Sequence, residues 1–247
     1  MTFVVADIHG EITKLKKLIK NILGIDDNPS FVFIGDYLDK GESPYEVLEY
    51  LTTFSERYDC VFLMGNHEYV WLNLYKDQKN YTSYLKKYGG YNTAESFGCT
   101  TLECTYTKMI EKFSVFMNSL VNYWKNDKYV IVHSGINPTD FNTAIEEIPI
   151  ERLIFNRYDF IKCQQYYQNN YKVIFGHTGF FFPYQDPFKI GIDTSACYIK
   201  EQPLTAFCVD NECFYNSNNE LLGIDDNNLS YSPMIPRVKP WRIKYGI

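Results

Sequence analysis

Five short apolar runs set the frame of this chain: Thr2 to Ala6, Phe31 to Ile34, Cys60 to Met64, Tyr129 to Val132 and Lys172 to Phe175. Each is rich in β-branched or aromatic residues and too short for a buried helix, which predicts five buried strands. Each is followed at once by a polar cluster: Asp7-Ile8-His9-Gly10, Gly35-Asp36-Tyr37-Leu38-Asp39-Lys40-Gly41, Gly65-Asn66-His67-Glu68, His133-Ser134-Gly135 and Gly176-His177-Thr178-Gly179. All four histidines of the chain therefore stand at or just past the end of an expected strand. An imidazole with a carboxylate, amide or glycine beside it suits a metal ligand or an acid catalyst.

In an open α/β sheet the carboxyl ends of the strands share one edge, and helices return the chain between strands. Asp7, Asp36 and Asn66 lie about thirty residues apart, the spacing such returns produce. The first return is predicted from Glu11 to Leu23. Ile12, Leu15, Leu18, Ile19, Ile22 and Leu23 keep helical spacing there, while Lys14, Lys16, Lys17 and Lys20 fall mostly on a solvated side. The second opens with Ser43-Pro44-Tyr45-Glu46, which reads as a capping box with proline at the first helical position, and continues through Val47, Leu48 and Leu51. Two successive strand-helix-strand units are thus legible. From Tyr69 to Lys128 no strand is evident, and a helical insertion over the sheet edge is expected, broken at Tyr88-Gly89-Gly90-Tyr91. Lys189 to Asp193, Leu204 to Val209 and Glu212 to Asn216 read as further strands, the last two joined by a tight turn at Asp210-Asn211. Their apolar content suits a second sheet packed on the first.

A length of 247 residues fits one domain over 1–247, with the insertion at about 69–128 and a tail at about 218–247. The net charge of −6 gives no global attraction for nucleic acid or anionic membrane. Locally, Arg237, Lys239, Arg242 and Lys244 accompany Trp241 in the acid-free stretch Tyr231 to Ile247, which reads as an irregular tail over an acidic body more readily than as a docking arm. Seven cysteines (Cys60, Cys99, Cys104, Cys163, Cys197, Cys208 and Cys213) show no C-x-x-C pair, so a reduced, cytoplasmic setting is expected and a zinc-cysteine site is not. Cys60 and Cys208 read as core residues, and Cys99 and Cys104 as partly exposed. No apolar segment approaches membrane-spanning length. The string Gly-Ile-Asp-Asp-Asn, at Gly24 to Asn28 and again at Gly223 to Asn227, has different flanks and no EF-hand spacing, so it carries neither a duplication nor a calcium loop.

Taken together, Asp7-x-His9, Gly35-Asp36-x-x-Asp39-x-Gly41, Gly65-Asn66-His67-Glu68, His133 and Gly176-His177 resemble the metallophosphoesterase superfamily. The likeness is closest to its phosphoprotein-phosphatase branch, which includes small bacterial and phage serine/threonine phosphatases, and it spans roughly residues 1–210. Any one histidine alone is an ordinary hydrogen-bonded structural residue; five pieces in order after five strand-like runs reverse that reading. The resemblance implies a four-layer α/β-β/α sandwich. It implies that Asp7, His9 and Asp36 hold one divalent cation and that Asp36, Asn66, His133 and His177 hold a second, with Asp36 bridging. Carboxylate, imidazole and amide oxygen suit Mn²⁺ foremost, with Fe or Zn²⁺ as alternatives. Two cations about 3.5 to 4 Å apart activate a shared water and clamp phosphoryl oxygens, and that water is the implied nucleophile. His67 resembles the family's general acid, oriented by Asp39. Glu68 is expected behind the ligands or at a helix start, not on a metal.

The phosphoryl group is expected to meet Lys40, Arg157 and Asn66. Lys40 stands where the family usually has an arginine; it keeps the charge and lacks the bidentate fork, so weaker phosphate positioning is expected. Phe155-Asn156-Arg157 is the best match to a W-x-R segment, with Arg152 as the other candidate. Ile192-Asp193-Thr194-Ser195-Ala196 resembles a late I-D-T-G segment with serine replacing glycine, and Asp193 is expected to orient the loop near His177. The implied function is hydrolysis of phosphomonoesters, with phosphorylated serine or threonine in proteins as first choice and a small phosphoester as the other substrate. The rival within the branch is a symmetrical dinucleoside-tetraphosphate hydrolase, which typically lacks an aspartate at the Asp39 position; RNA-end and cyclic-nucleotide phosphoesterases stay open. An inactive module that binds phosphorylated partners would show a lost ligand, and none is lost.

Overall fold

The computed structural model describes residues 1–168 and 170–222. The basic stretch Tyr231 to Ile247, the second Gly-Ile-Asp-Asp-Asn string and most of the expected tail lie outside those residues. The chain begins as an alternation of strand and helix: β1 (Thr2–Val5), α1 (Ile12–Leu23), β2 (Ser30–Phe33), α2 (Pro44–Phe54) and β3 (Cys60–Phe62). The three strands pair in parallel, Phe3 opposite Phe31 and Val32 opposite Val61. Helix α1 buries Leu15, Leu18, Ile19 and Ile22, the stripe set by its three-four spacing. At α2 the capping box does not form. Pro44 opens the helix as expected, but the Ser43 hydroxyl makes no cap bond. Its backbone N–H is used instead, donating to the Gly10 carbonyl at 3.2 Å and tying the start of α2 to the turn after β1.

Four helices form the insertion: α3 (Asn66–Leu72), α4 (Gln78–Tyr88), α5 (Gly90–Ser96) and α6 (Leu102–Asn118). Gly89 separates α4 from α5 at φ 98°, a left-handed conformation that an L side chain resists. The span ends in a two-residue strand, β4 (Trp124–Lys125), where no strand was expected; it exists because β5 (Tyr129–Ile131) offers an antiparallel edge, Trp124 opposite Ile131. Beyond β5 come α7 (Ile150–Ile154), α8 (Tyr158–Lys162), β6 (Lys172–Phe175), β7 (Tyr184–Gln185), β8 (Lys189–Gly191), β9 (Thr205–Cys208), β10 (Cys213–Asn216) and β11 (Leu221–Leu222).

These strands make two mixed sheets, ordered β11-β10-β9-β1-β2-β3 and β4-β5-β6-β8-β7. One expectation is corrected here: β9 and β10 do not enter the second sheet. β9 lies antiparallel on β1, Val4 opposite Phe207, and so extends the first sheet past its first strand. Their hairpin is also wider than a two-residue turn, since Cys208 pairs with Cys213 and leaves Val209, Asp210, Asn211 and Glu212 in the loop. The sheets face each other across a shared core. Alternation along β5 shows it: Tyr129 and Ile131 join the cluster of Phe3, Val5, Phe33 and Phe207, while Val130 and Val132 face an outer cluster with Leu153 and Phe160 of α7 and α8. Cys99 and Cys104 are disulfide-bonded with Cα atoms 5.9 Å apart, so the expectation of a wholly reduced set is corrected at that pair. Cys99 is buried rather than partly exposed, Cys208 is buried, and Cys60 is half-buried. No helix among the described residues is long and apolar enough to cross a membrane.

Candidate metal centre

Every predicted polar cluster follows a strand of the two central parallel sets, and the layering brings those ends together. The turn after β1 carries Asp7 and His9, the turn after β2 carries Asp36, Asp39 and Lys40, and the one after β3 runs into α3 with Asn66 and His67 on its first turn. From the facing sheet, His133 follows β5 and His177 follows β6. The turns are tight enough that His9, Asp36, Asp39, Lys40 and His177 take φ of 47°, 56°, 65°, 65° and 62°. Left-handed backbone at a non-glycine residue costs roughly 1–2 kcal/mol, and its concentration at one place marks a site whose geometry is imposed by its surroundings. Gly65 is required for the approach: a Cβ there would collide with the Asp36 carboxylate and with Glu68.

Asp36 is the centre of the arrangement. Its Oδ2 lies 3.1 Å from Nε2 of His9 and 3.8 Å from Nε2 of His67, and its Oδ1 lies 3.4 Å from Nε2 of His133. Although wholly buried, Oδ2 accepts no hydrogen bond. Nδ1 of His9 faces the Leu38 carbonyl at 2.8 Å and Nδ1 of His133 faces the Ile34 carbonyl at 2.8 Å. A carbonyl only accepts, so each ring carries its proton on Nδ1 and turns a bare Nε2 inward. Oδ1 of Asn66 is 2.8 Å from Nε2 of His133. His9, Asp36 and His67 form one group with donor atoms within 4.8 Å of one another, and Asp36, His133 and His177 form another. Lone pairs converging without protons, around an orphaned carboxylate oxygen, fit divalent cations on both sides of Asp36. The Lys40 ammonium rests against Nε2 of His9, where a positive charge is called for.

Burial and charge act together on these groups. Burial and the Lys40 ammonium push His9 down to about 4. Burial raises Asp7 to about 6, with the Asp36 charge adding to it. Burial also pushes Asp36 upward, but His133, His67 and His9 together hold its carboxyl well below the usual range. His67 donates from Nδ1 to Oδ2 of Asp39 at 2.6 Å, and Oδ1 of Asp39 accepts from Trp71 Nε1 at 2.8 Å and Thr93 Oγ1 at 2.6 Å. Asp39 is therefore held rigidly behind the imidazole.

Asp7 is buried beside His9: its Oδ2 is 4.0 Å from Nε2 of His9, and both its oxygens accept from the His177 backbone N–H at 3.0 and 3.1 Å. His67 takes the nearer place beside His9 and Asp36. Glu68 accepts from the backbone N–H groups of Asp36, Tyr37 and Leu38 at 2.8, 2.9 and 3.1 Å and touches no ligand lone pair. Arg152 is engaged by Asp140 at 2.8 Å, whereas Arg157 opens α8, its backbone N–H donating to Oδ1 of Asn156 at 2.8 Å. Asp193 accepts from Ser195 N–H at 2.8 Å, and Ser195 takes φ 61°, a left-handed backbone that favours glycine. Sequence reasoning missed Trp71, Thr93 and Tyr84, all in the insertion. Tyr84 accepts a hydrogen bond from Nδ2 of Asn66 and sets its ring edge-on to His67 with centroids 5.6 Å apart.

The chain belongs to the calcineurin-like phosphoesterase family, whose profile matches residues 2–212. It is similar to the serine/threonine-protein phosphatase 2B catalytic subunit A2 of Saccharomyces cerevisiae, 34% identical over 137 residues that make up 55% of this chain and 20% of the yeast protein. It is also similar to a protein phosphatase 2A catalytic subunit of Dictyostelium discoideum, 27% identical over 149 residues, 60% of this chain and 41% of that protein. The match thus spans less than half the length of either relative. Among solved structures, a cold-active protein tyrosine phosphatase superposes with a TM-score of 0.65 at 16% identity, covering 93% of this chain and 80% of that one, a likeness of fold. The protein is a metallophosphoesterase with two His/Asp clusters that fit a dinuclear metal site.

Proposed function

We propose that this chain hydrolyses phosphomonoesters at a pair of divalent cations, with phosphoserine and phosphothreonine residues of proteins as first-choice substrates. The observation that carries the reading is the buried Asp36 carboxylate, flanked by His9 and His67 on one side and by His133 and His177 on the other. In this reading Asp7, His9 and Asp36 hold one cation, and Asp36, Asn66, His133 and His177 hold the second; manganese is the first expectation. The bound cations supply Lewis acidity and an activated water. His67 gives its proton to the departing alkoxide, and the short hydrogen bond that its Nδ1 donates to Asp39 keeps the ring aimed. Lys40 and Arg157 receive the phosphoryl oxygens. Asp7, His9, Asp36, His133 and His177 stand on turns that follow strands, which supports a site assembled without closure of a lid.

The Asp39–His67 pair favours this reading over a symmetrical dinucleoside-tetraphosphate hydrolase. The test is hydrolysis of a phosphoserine peptide, a dinucleoside tetraphosphate and a bis-aryl phosphate with added Mn²⁺. The phosphopeptide is expected to be the best substrate, and Asp36→Asn to lower its turnover by a thousandfold or more. Turnover of the tetraphosphate alone would move the assignment to the rival, and binding of phosphopeptide with no turnover would make the protein a recognition module.

A further inference from the structure

We propose that Tyr84 is a phosphate-binding residue, its hydroxyl donating to a non-bridging phosphoryl oxygen. The inference rests on the metal-dependent reading above and adds to it a donor supplied by the insertion. Tyr84 lies outside the strand-end motifs, in the middle of α4, and its hydroxyl reaches Nδ2 of Asn66. The same amide turns Oδ1 to within 2.8 Å of Nε2 of His133. That places the phenolic oxygen one amide's width from the Asn66 oxygen that would ligate the second cation.

The hydrogen-bond inventory decides what the hydroxyl does there. Asn66 must keep its oxygen toward the cation to ligate it, so its NH₂ faces Tyr84 and the phenolic oxygen accepts. The hydroxyl proton is then left to point away from Asn66. Around Tyr84 stand the His67 and Tyr88 rings, with centroids 5.6 and 4.4 Å away, and the charges of Asp36, Asp39 and Arg157. A phosphoryl oxygen held at the cations beside Asn66 would accept that proton. Such a donor also answers the replacement of the family's arginine by Lys40, since a phenol restores one directional hydrogen bond that a lysine cannot supply as part of a fork. The helical insertion in this way becomes part of the phosphate site, not only a cover.

The test is Tyr84→Phe, which removes one oxygen and keeps the ring packed against His67 and Tyr88. Binding of Mn²⁺ and then of inorganic phosphate to the Mn²⁺-loaded protein is followed by titration calorimetry. A hydrogen bond to a charged group is worth enough that phosphate affinity is expected to fall about tenfold or more, with Mn²⁺ affinity changed by less than about threefold. Lys40→Arg in the Tyr84→Phe background is expected to recover part of the loss. Unchanged phosphate affinity, or a loss that follows a matching loss of Mn²⁺, overturns the assignment. Wild-type protein that binds neither Mn²⁺ nor phosphate would instead remove the metal-dependent reading on which it rests.

Discussion

Glu68 shows how a residue that touches no ligand lone pair still fixes the site. Its two oxygens gather three backbone N–H groups and thereby hold the left-handed turn at Asp36 open. Burial, and then the Asp36 charge, push its carboxyl up to about 8. The folded chain therefore keeps this proton through a range in which the unfolded chain, titrating at 4.5, has lost it. A carboxyl raised in this way contributes stability at low pH that is lost as pH rises toward 8. Asp7 and Asp193, both raised to about 6, oppose His9 at lower pH, so the Glu68 effect is read between pH 6.5 and 8. Chelated protein is expected to lose roughly 2 kcal/mol over that window, a fall in Tm of roughly 4 to 8 °C, and Glu68→Gln to flatten the slope. Thermal melts of both proteins in chelator check this; a wild-type Tm that is level or rises from pH 6.5 to 8 contradicts it. That Glu68 stands behind the ligands was readable from its place beside Asn66-His67. The three bonds were not, because they depend on a turn from another strand.

Among the elements, the insertion is where sequence and structure part most. Strand ends are legible because an apolar run followed by glycine and a histidine or acid is a strong local contrast. Tyr84, Thr93 and Trp71 lie in helices rich in tyrosine, where nothing local separates a residue that packs from one that reaches the site. The sheet joined by β9 was illegible for a similar reason, since its own composition does not name its partner and only the pairing of Val4 with Phe207 does. The break at Gly89 was readable, and its role goes beyond ending α4. A Cβ at that position would stand 2.5 Å from the Lys40 backbone nitrogen and 2.8 Å from its Cα, with the backbone already at φ 98°. Nearby, Asn92 Nδ2 donates to the Lys40 carbonyl at 2.5 Å, so α5 grips the same loop from the other side. Gly89→Ala is expected to cost roughly 2 kcal/mol or more and to lower kcat/KM for a phosphomonoester by displacing Lys40. Melting and steady-state kinetics test both parts, and unchanged values would show that the insertion does not brace the loop.

At the scale of the whole molecule, the two sheets exist to bring one acidic loop under imidazoles from opposite halves of the chain. His9 and His67 come from the first sheet, His133 and His177 from the second, and Asp36 lies between them. Without cations such a centre leaves an unpaired buried oxygen and converging lone pairs where the sheets meet, so metal binding is expected to stabilise the packing of sheet on sheet. The order of motifs made the meeting of these residues foreseeable; the nearer place of His67 relative to Asp7 was not, because it follows from how α3 begins. The most direct measurement is anomalous diffraction from crystals grown with Mn²⁺. Two peaks about 3.5 to 4 Å apart are expected, with the Asp36 carboxylate between them and His9 and His133 on opposite flanks. A single peak, or two peaks that do not share Asp36, would contradict the account.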